Sequence, residues 1–595
     1  MGKFILTNSV AKTSESISFS TANGYVVSGK YENEKISFAS YYKLAIKNEN
    51  FLSIGDDFVS VTGTVIYKDT IGQESLRMIY NDFTGDINVI RDNVLGNGAF
   101  IIKKGVEITV FTEYLAMYHV FYTENNGDFI LSNELYDVCK LCSGLEVDNE
   151  NLLLNALIAG VYDKDTEIKN VFCLRDCEKL VINIANGEYH FENVNVEWRS
   201  NQKLSYNEIV ERIGDYLKQY ATMFTKHYGT PGLSSTGGLD NRLNLASFLA
   251  AGSKPDLYYG IGNSPITNTN DGDLTINKYY KEKYGLNLQV VSWENATPIN
   301  HDWQELEKLY GMHSLRYAGS KDFNQHYTNV DNQLILFGCV GEIYRIDDNI
   351  YLEDINFSNF TLDQYIDLYD IDHYRASAQL LFKDRNSIHA HIKNKLLPLC
   401  KKWGLDPNNL TPMDDMILWL ERMRRSDVLI PNLINRHHFC AFMNAQLPIV
   451  RLLTLVNPRE KRDAKFHIDL LRYLYPSIME VPIFSRTRFQ IYDEEKGKMI
   501  LPAKVRFEQK VKRLLPESLA NAARWFIGKT KIGKKREEDN YGKNSVPIIR
   551  DILEKHGLID GRDVTVSLFD RLDKQVLLYA QELTIFDNLG ISFKN

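Results

Sequence analysis

This chain of 595 residues has little that would staple it, anchor it in a membrane or draw it to nucleic acid. Its seven cysteines (139, 142, 173, 177, 339, 400 and 440) are few and odd in number, which argues against a disulfide framework and fits a reducing compartment. No stretch approaches the ~18 uncharged apolar residues of a spanning helix, and Met1-Gly-Lys-Phe-Ile-Leu-Thr7 runs into a polar, serine-rich segment, not a secretory leader. Met-Gly also opens myristoylation signals, but those want Ser or Thr where this chain has Leu6. The expected location is the cytoplasm. Positive charge is not in excess: 69 Lys and Arg against 77 Asp and Glu leave a net charge of -8, so neither nucleic acid nor a membrane is expected as partner. The one basic run, Lys529-Thr-Lys-Ile-Gly-Lys-Lys-Arg536, reads as a solvated loop. Cys139-x-x-Cys142 with Cys173-x-x-x-Cys177 has the paired spacing of a structural zinc site. The first pair lies in a helical stretch and the second at a strand entry, however, so buried free thiols are expected.

What is present can build large cores: 44% of residues are hydrophobic and 34 are tyrosine, in a chain long enough for two large domains. Up to about residue 200, β-branched and aromatic runs such as Val59-Ser-Val-Thr-Gly-Thr-Val-Ile-Tyr67, Gly98-Ala-Phe-Ile-Ile102, Glu107-Ile-Thr-Val-Phe111 and Asp128-Phe-Ile-Leu-Ser132 alternate with Asn-Gly breaks. That pattern predicts an α+β domain with two packed antiparallel sheets and helices. The polar stretch Glu197-Trp-Arg-Ser-Asn-Gln-Lys203 marks a boundary, giving domains 1–203 and 204–595. An amphipathic helix begins at Tyr206, after which strand-like and helical segments alternate (Leu257–Ile261, Leu274–Tyr284, Leu288–Trp293), predicting an α/β domain with a parallel sheet and many helices.

At the head of that second domain stands Leu233-Ser-Ser-Thr-Gly-Gly-Leu-Asp-Asn-Arg242, a short apolar lead-in, two glycines and then an amphipathic run. A strand, a tight turn and a helix N-terminus in this order can bind an anion, because glycine permits close approach and the first helical turn offers N–H groups and a positive dipole end. A plain structural turn uses the same glycines. The segment is neither a Walker loop, lacking Gly-Lys-Ser/Thr, nor Gly-x-Gly-x-x-Gly. Thr236-Gly-Gly-Leu-Asp-Asn241 instead resembles the Ser-Gly-Gly-x-Asp-Ser pyrophosphate loop of the ATP pyrophosphatases, in the form used by asparagine synthetases, with Thr236 and Asn241 replacing two serines.

The resemblance extends over roughly residues 50 to 500. Glu113-Tyr-Leu-Ala-Met-Tyr-His-Val-Phe-Tyr122 and Asn126-Gly-Asp-Phe-Ile-Leu-Ser-Asn-Glu134 are similar to a stretch of the family's glutaminase domain. Leu174-Arg-Asp-Cys-Glu-Lys-Leu180 is similar to the passage joining the two domains, with Asp176-Cys177 where the family has Pro-Gly. Leu334-Ile-Leu-Phe-Gly-Cys-Val-Gly-Glu342 resembles the family's second ATP loop and places Glu342 where an Asp holds Mg²⁺. Asp414–Arg425 and His437–Pro448 resemble helices that follow the metal loop, and Arg486 in Ile483–Phe489 stands where the family has a late catalytic Lys, with Lys496 and Lys498 nearby. Asp271-Gly-Asp273 opens a helix after the second strand; Asp273 is either a helix cap or a ligand. His389, His391, His437 and His438 match no zinc spacing and read as structural.

The resemblance implies an N-terminal-nucleophile-like glutaminase domain followed by an ATP-pyrophosphatase domain. The glutaminase needs a cysteine at the mature N-terminus, whereas this chain has Gly2 and its first cysteine is Cys139, so the expected glutaminase is inactive, as in the β-lactam-forming and lasso-peptide-forming relatives. The implied chemistry is ATP-dependent, AMP-forming ligation: adenylation of a small-molecule or peptide carboxylate, then amide formation with an amine or ammonia. Implied nucleotide contacts are Ser235, Thr236, Gly237, Gly238, Leu239, Asp240, Asn241, Gly260, Gly262 and Gly338. Asp240 and Glu342 are the implied Mg²⁺ ligands, with Arg486 and Glu342 catalytic. A homodimer or a pathway partner protein is compatible with this. The alternative is a non-catalytic homologue acting as a scaffold or pathway partner.

Overall fold

The computed structural model describes residues 2–125, 127–158, 160–262, 271–293, 330–345, 360–367, 385–426, 428–461, 464–485, 488–493 and 498–500, with 551, 554–556, 583 and 586–593. The basic run 529–536 lies outside them.

The first half is layered. In chain order it runs β1 (Phe4–Thr7), α1 (Val10–Ala22), β2 (Val27–Glu32), β3 (Ser37–Tyr41), β4 (Phe51–Ile54), β5 (Asp57–Tyr67), α2 (Gly72–Asp82) and α3 (Ile87–Arg91). It continues with β6 (Val94–Lys104), β7 (Glu107–Thr112), β8 (Phe121–Asn125), β9 (Asp128–Ser132), α4 (Leu135–Leu141), α5 (Asn149–Ile158), β10 (Val171–Cys173), β11 (Glu178–Asn183) and β12 (Tyr189–Asn193). Two six-stranded sheets result, ordered β10-β8-β9-β1-β3-β2 and β12-β11-β7-β6-β5-β4. Among the described residues their strand pairings are antiparallel throughout, as in β1 with β3 and β5 with β6. Alternation of side chains along each strand serves two cores at once. Phe4, Leu6 and Phe38 of one sheet meet Phe58, Ile101 and Val110 of the other. Ile5, Ala39 and Ile130 face Val138, Cys139 and Leu141 of α4, while Val59, Phe100 and Ile102 face Leu76 and Ile79 of α2. The order is helix, sheet, sheet, helix; the two antiparallel sheets with helices are what the sequence pattern predicts, and the layer order comes from the packing. All seven cysteines are free thiols, and Cys139, Cys142 and Cys173 are buried in one apolar cluster.

The second half opens on α6 (Tyr206–Tyr228), whose Ser205 and Glu208 form a reciprocal capping box. Then follow β13 (Gly232–Ser234), α7 (Leu239–Ala250), β14 (Asp256–Gly262), α8 (Asp271–Tyr284), β15 (Leu288–Trp293), β16 (Leu334–Leu336) and β17 (Phe439–Ala441). These strands form a parallel sheet ordered β15-β14-β13-β16-β17. β13 is central: β14 and β15 extend the sheet on one side, β16 and β17 on the other. The direction of winding therefore reverses between β13 and β16, and the carboxyl ends at such a reversal are where open α/β sheets bind ligands.

One expectation is corrected here. His437–Pro448 resembles a helix in sequence, but Phe439–Ala441 is the edge strand β17, with Leu334 opposite Phe439. Three residues are too few to reveal a period, and the helix resumes only at Leu447–Leu453. Further on, β18 (Ile483–Ser485), β19 (Arg488–Asp493) and β20 (Lys498–Ile500) make a small antiparallel sheet.

The two halves share one apolar core that runs from Val59 and Phe100 through Leu217, Leu243 and Leu336 to Phe466. A buried ionic cluster also joins them. Asp176, fully buried, lies 2.7 Å from Lys402 and 2.8 Å from Arg424, which in turn meet Glu421. The residue standing in the family's Pro-Gly position is thus an anchor between the halves. At the far end of the chain, Leu583, Phe586 and Ile591 return to pack beside α4, with the Val147 N–H donating to Ser592 O at 2.9 Å. Among the described residues no helix is long and apolar enough to cross a membrane.

Candidate functional site

β13 ends at Ser234 and the chain turns through 235–238 into α7. The Ser235 N–H donates to Tyr258 O at 2.9 Å, and its carbonyl accepts from Asn277 Nδ2 at 3.2 Å, so the turn starts from a fixed strand end. Asn241 Nδ2 donates to Thr236 Oγ1 at 2.9 Å, and the Gly238 N–H reaches the same oxygen at 3.4 Å. The two residues that replace serines are therefore bonded to each other across the turn. Gly238 precedes α7 without a side-chain cap, leaving the positive end of the helix dipole next to the turn.

The second loop meets the first directly. After β16 the chain passes Gly338 and Val340 and makes one 3₁₀ turn, Gly341–Tyr344. A Cβ on Gly341 would lie 2.5 Å from Cβ of Asp240, and one on Gly338 would lie 2.7 Å from the Asn241 nitrogen. Only glycine lets the loops come this close. Asn244 Nδ2 adds a 2.9 Å bond to Phe337 O. Val340, buried and β-branched, has φ 65°, a left-handed conformation that costs about 1–3 kcal/mol and is found where surrounding structure imposes it. Asp240, Asn241, Gly338 and the turn carrying Glu342 thus share one place, at the carboxyl ends of β13 and β16.

Four further groups crowd this place. Arg345, which ends the 3₁₀ turn, puts Nη2 2.9 Å from Oδ2 of Asp240. From the third residue of α8, Asp273 accepts the Gly237 N–H on Oδ1 at 2.6 Å; burial raises its carboxyl pKa, and the bond from Gly237 opposes the rise. Arg242, wholly buried, donates to the carbonyls of Pro482 at 2.6 Å, Val481 at 2.7 Å, Ile478 at 3.3 Å and Gly237 at 3.4 Å. Burial lowers its pKa. It ties 478–482 to the glycine turn, and the Phe484 N–H donates to Gly237 O at 3.1 Å while the Phe484 ring lies against Gly272. Behind Asp240 is His467 of the helix Lys465–Leu474, fully buried, with Nδ1 3.9 Å from Asp240 Oδ1. Burial, with Arg345 beside it, pushes its pKa down to about 3, so the ring is neutral.

Arg242 closes the glycine segment and Asp273 belongs to the run that opens the next helix, whereas Arg345 and His467 stand in neither motif as read from sequence. Arg345 falls three residues after Glu342, one turn along, and that spacing is the one signal that could have placed it beside Asp240. Asp273 proves not to be the N-cap of its own helix: it is the third residue of α8 and accepts the N–H of another loop.

The arrangement bears on the expected Mg²⁺. A divalent ion on Asp240 and Glu342 would take a carboxylate already neutralised by a guanidinium, and would bring two positive charges against a third. Among the described residues no group of three His, Cys, Asp or Glu could hold a metal ion. These residues do not fit a resident metal at Asp240.

Gly260 and Gly262 lie at the carboxyl end of β14, next to β13 in the sheet. Arg486 lies outside the described residues, as does Lys496; Lys498 is in β20. The histidines are engaged apart from the loops. His391 Nδ1 is 2.7 Å from Glu150, and His389 is 3.7 Å from Asp363. Burial drives His437 to about 3.

In the first half, Gly2 is buried and its carbonyl accepts the Tyr118 hydroxyl at 3.2 Å. A Cβ at Gly2 would fall inside the carbonyl oxygens of Tyr41 and Tyr42. Lys3, also buried, lies 2.6 Å from Asp137, and Glu134 accepts from Tyr25 at 2.8 Å and lies 3.1 Å from Arg436. Gly2 is therefore set in a closed polar core with no room for a nucleophilic side chain.

No protein family matches this chain, and no curated protein matches it. Several solved structures align with parts of it, among them two that cover about half of it. One is the glutamine phosphoribosylpyrophosphate amidotransferase from B. subtilis complexed with ADP and GMP, at 10% identity and a TM-score of 0.22, over 49% of this chain and 65% of that one. The other is described as the allosteric regulatory enzyme of purine biosynthesis, at 10% identity and 0.22, over 48% and 64%. The chain thus spans just under two thirds of each, and at this TM-score neither bears on the site.

Proposed function

We propose that the chain is an ATP-dependent, AMP-forming ligase that adenylates a substrate carboxylate and passes the acyl group to an amine or ammonia, with no glutaminase activity of its own. The observation that carries this is the abutment of Asp240 and Asn241 on Gly341 and Gly338, at the reversal point of a parallel sheet. In this reading the second half is an asparagine-synthetase-like ATP pyrophosphatase, and residues 1–203 are a degenerate N-terminal-nucleophile-like domain. The N–H groups from Gly237 to Asn241 hold the leaving pyrophosphate, with the dipole of α7 behind them. Thr236 and Asn241 keep the turn in shape through their mutual bond. Gly260 and Gly262 allow the nucleoside to approach the end of β14. Glu342 acts from the second loop beside Asp240, and Arg486 acts on the acyl side, where an always-charged Arg stabilises developing negative charge without transferring a proton. The acyl carboxylate is a small molecule or peptide, and the amine comes from solution, a partner protein or the substrate itself.

The test is pyrophosphate and AMP release from ATP by the purified chain across carboxylate and ammonium candidates, in wild type and Asp240→Ala. Release that disappears in the variant supports the ligase.

A second reading has its own observation. Asp273 already occupies the Gly237 N–H, and Phe484 lies over the turn. A site filled by its own side chains is what a non-catalytic scaffold would show. Absence of both turnover and ATP binding in every condition favours that reading.

A further inference from the structure

The mismatch between Asp240 and a metal leads to a specific assignment, which rests on the nucleotide reading above. Phosphoryl groups at the end of β13 need compensating positive charge, and among the described residues Arg242 and Arg345 are the cations shown at the turn. Arg242 is wholly buried and bound to four backbone carbonyls, so it serves the frame. Arg345 is different: its side chain is 24% exposed, and it enters from the second loop onto Asp240, itself 19% exposed. Guanidinium groups bind phosphate oxygens through paired N–H donors, and a carboxylate partner fixes the plane of the fork.

We infer that Arg345, oriented by Asp240, is the cation that meets the phosphate groups of the nucleotide at this loop, in the place a protein-held divalent metal would take. The charged and titratable groups around it agree. Asp240 is its partner, Glu342 lies on its own turn, Asp273 sits on the neighbouring N–H, and His467 is buried neutral. A cation fixed to the chain here makes nucleotide binding independent of added metal, while any metal that accompanies ATP comes as part of the substrate. Asp240 is then a positioning residue and Arg345 the contact.

The experiment is calorimetric titration of the full chain with ATP, first in excess EDTA and then in Mg²⁺. Wild type is expected to bind in EDTA within about threefold of its affinity in Mg²⁺, and Arg345→Lys to fall between wild type and Arg345→Met, because the charge remains but the paired donors of the fork are lost. Arg345→Met is expected to lose about tenfold or more in EDTA and to regain binding when Mg²⁺ is added, since the freed Asp240 carboxylate becomes a metal ligand. If the lone carboxylate destabilises that variant, Asp240→Asn with Arg345→Met keeps the pair neutral and is expected to lose the EDTA-resistant binding without regaining it in Mg²⁺. Wild-type binding that requires Mg²⁺, or EDTA binding unchanged by Arg345→Met, overturns the assignment and leaves the ligase intact. Wild type that binds no ATP with or without Mg²⁺ overturns the ligase reading and this inference together.

Discussion

The carboxylate of Asp273 lies 2.6 Å from the amide nitrogen of Gly237, so a residue of α8 holds the N–H that a phosphate oxygen would otherwise accept. An anion entering the turn must compete with an anion already fixed there. The cost is set by one charge-assisted hydrogen bond, on the order of 1.5–3 kcal/mol.

Asp273→Ala is therefore expected to tighten ATP binding by about tenfold, because it removes both the competing acceptor and a negative charge. Titration of the variant beside wild type checks this. Weaker binding in the variant would instead make Asp273 a contact of the nucleotide.

Asp176 concerns the joint between the halves. Burial alone would raise its carboxyl pKa, but Lys402 and Arg424 outweigh burial and hold it at about 2. The folded value is below the ordinary 3.8, so the unfolded chain binds the proton more readily and the stabilisation is full above about pH 4. It is lost as pH falls through about 2. Asp176→Ala leaves Lys402 and Arg424 to share Glu421 alone and is expected to cost about 2–3 kcal/mol at neutral pH, below the ~3–5 kcal/mol of a wholly uncompensated buried charge. Denaturant titrations at pH 7 and pH 3 are the measurement, and the variant should show the smaller difference between them.

Gly2→Cys restores the residue type that glutamine hydrolysis needs but not the space. The new side chain would overlap the carbonyl oxygens of Tyr41 and Tyr42, and overpacking of this kind costs about 1–3 kcal/mol. The expected result is a lower melting temperature and no glutamate release from glutamine. Measurable hydrolysis would mean that the first half retains a working amide site.

Local pattern placed much of this in advance. Strands of five residues or more with β-branched residues, such as β5 and β6, declare themselves, and so do the two glycine turns, because a turn chemistry is written in consecutive residues. What could not be read is non-local. Arg345 acquires meaning only because Asp240, more than a hundred positions earlier, lies beside its loop. Asp176 looks like a departure from a family pattern until Lys402 and Arg424 arrive from the other half. β17 is three residues long, and its neighbours, not its composition, make it a strand. The return of Phe586 and Ile591 to the first half is likewise set by packing and by backbone bonds between Ser592 and residues 145–147, far away in sequence.

Among the described residues the parallel sheet ends at β17, and the outer N–H groups there are not left to water. Cys440 donates to Thr64 Oγ1 of β5 at 2.8 Å, and Phe442 donates to Asn97 Oδ1 of β6 at 2.8 Å. A bare sheet margin is a template on which another chain can add a strand and aggregate. The first half thus shields that margin, and a fragment beginning near residue 204 would expose it.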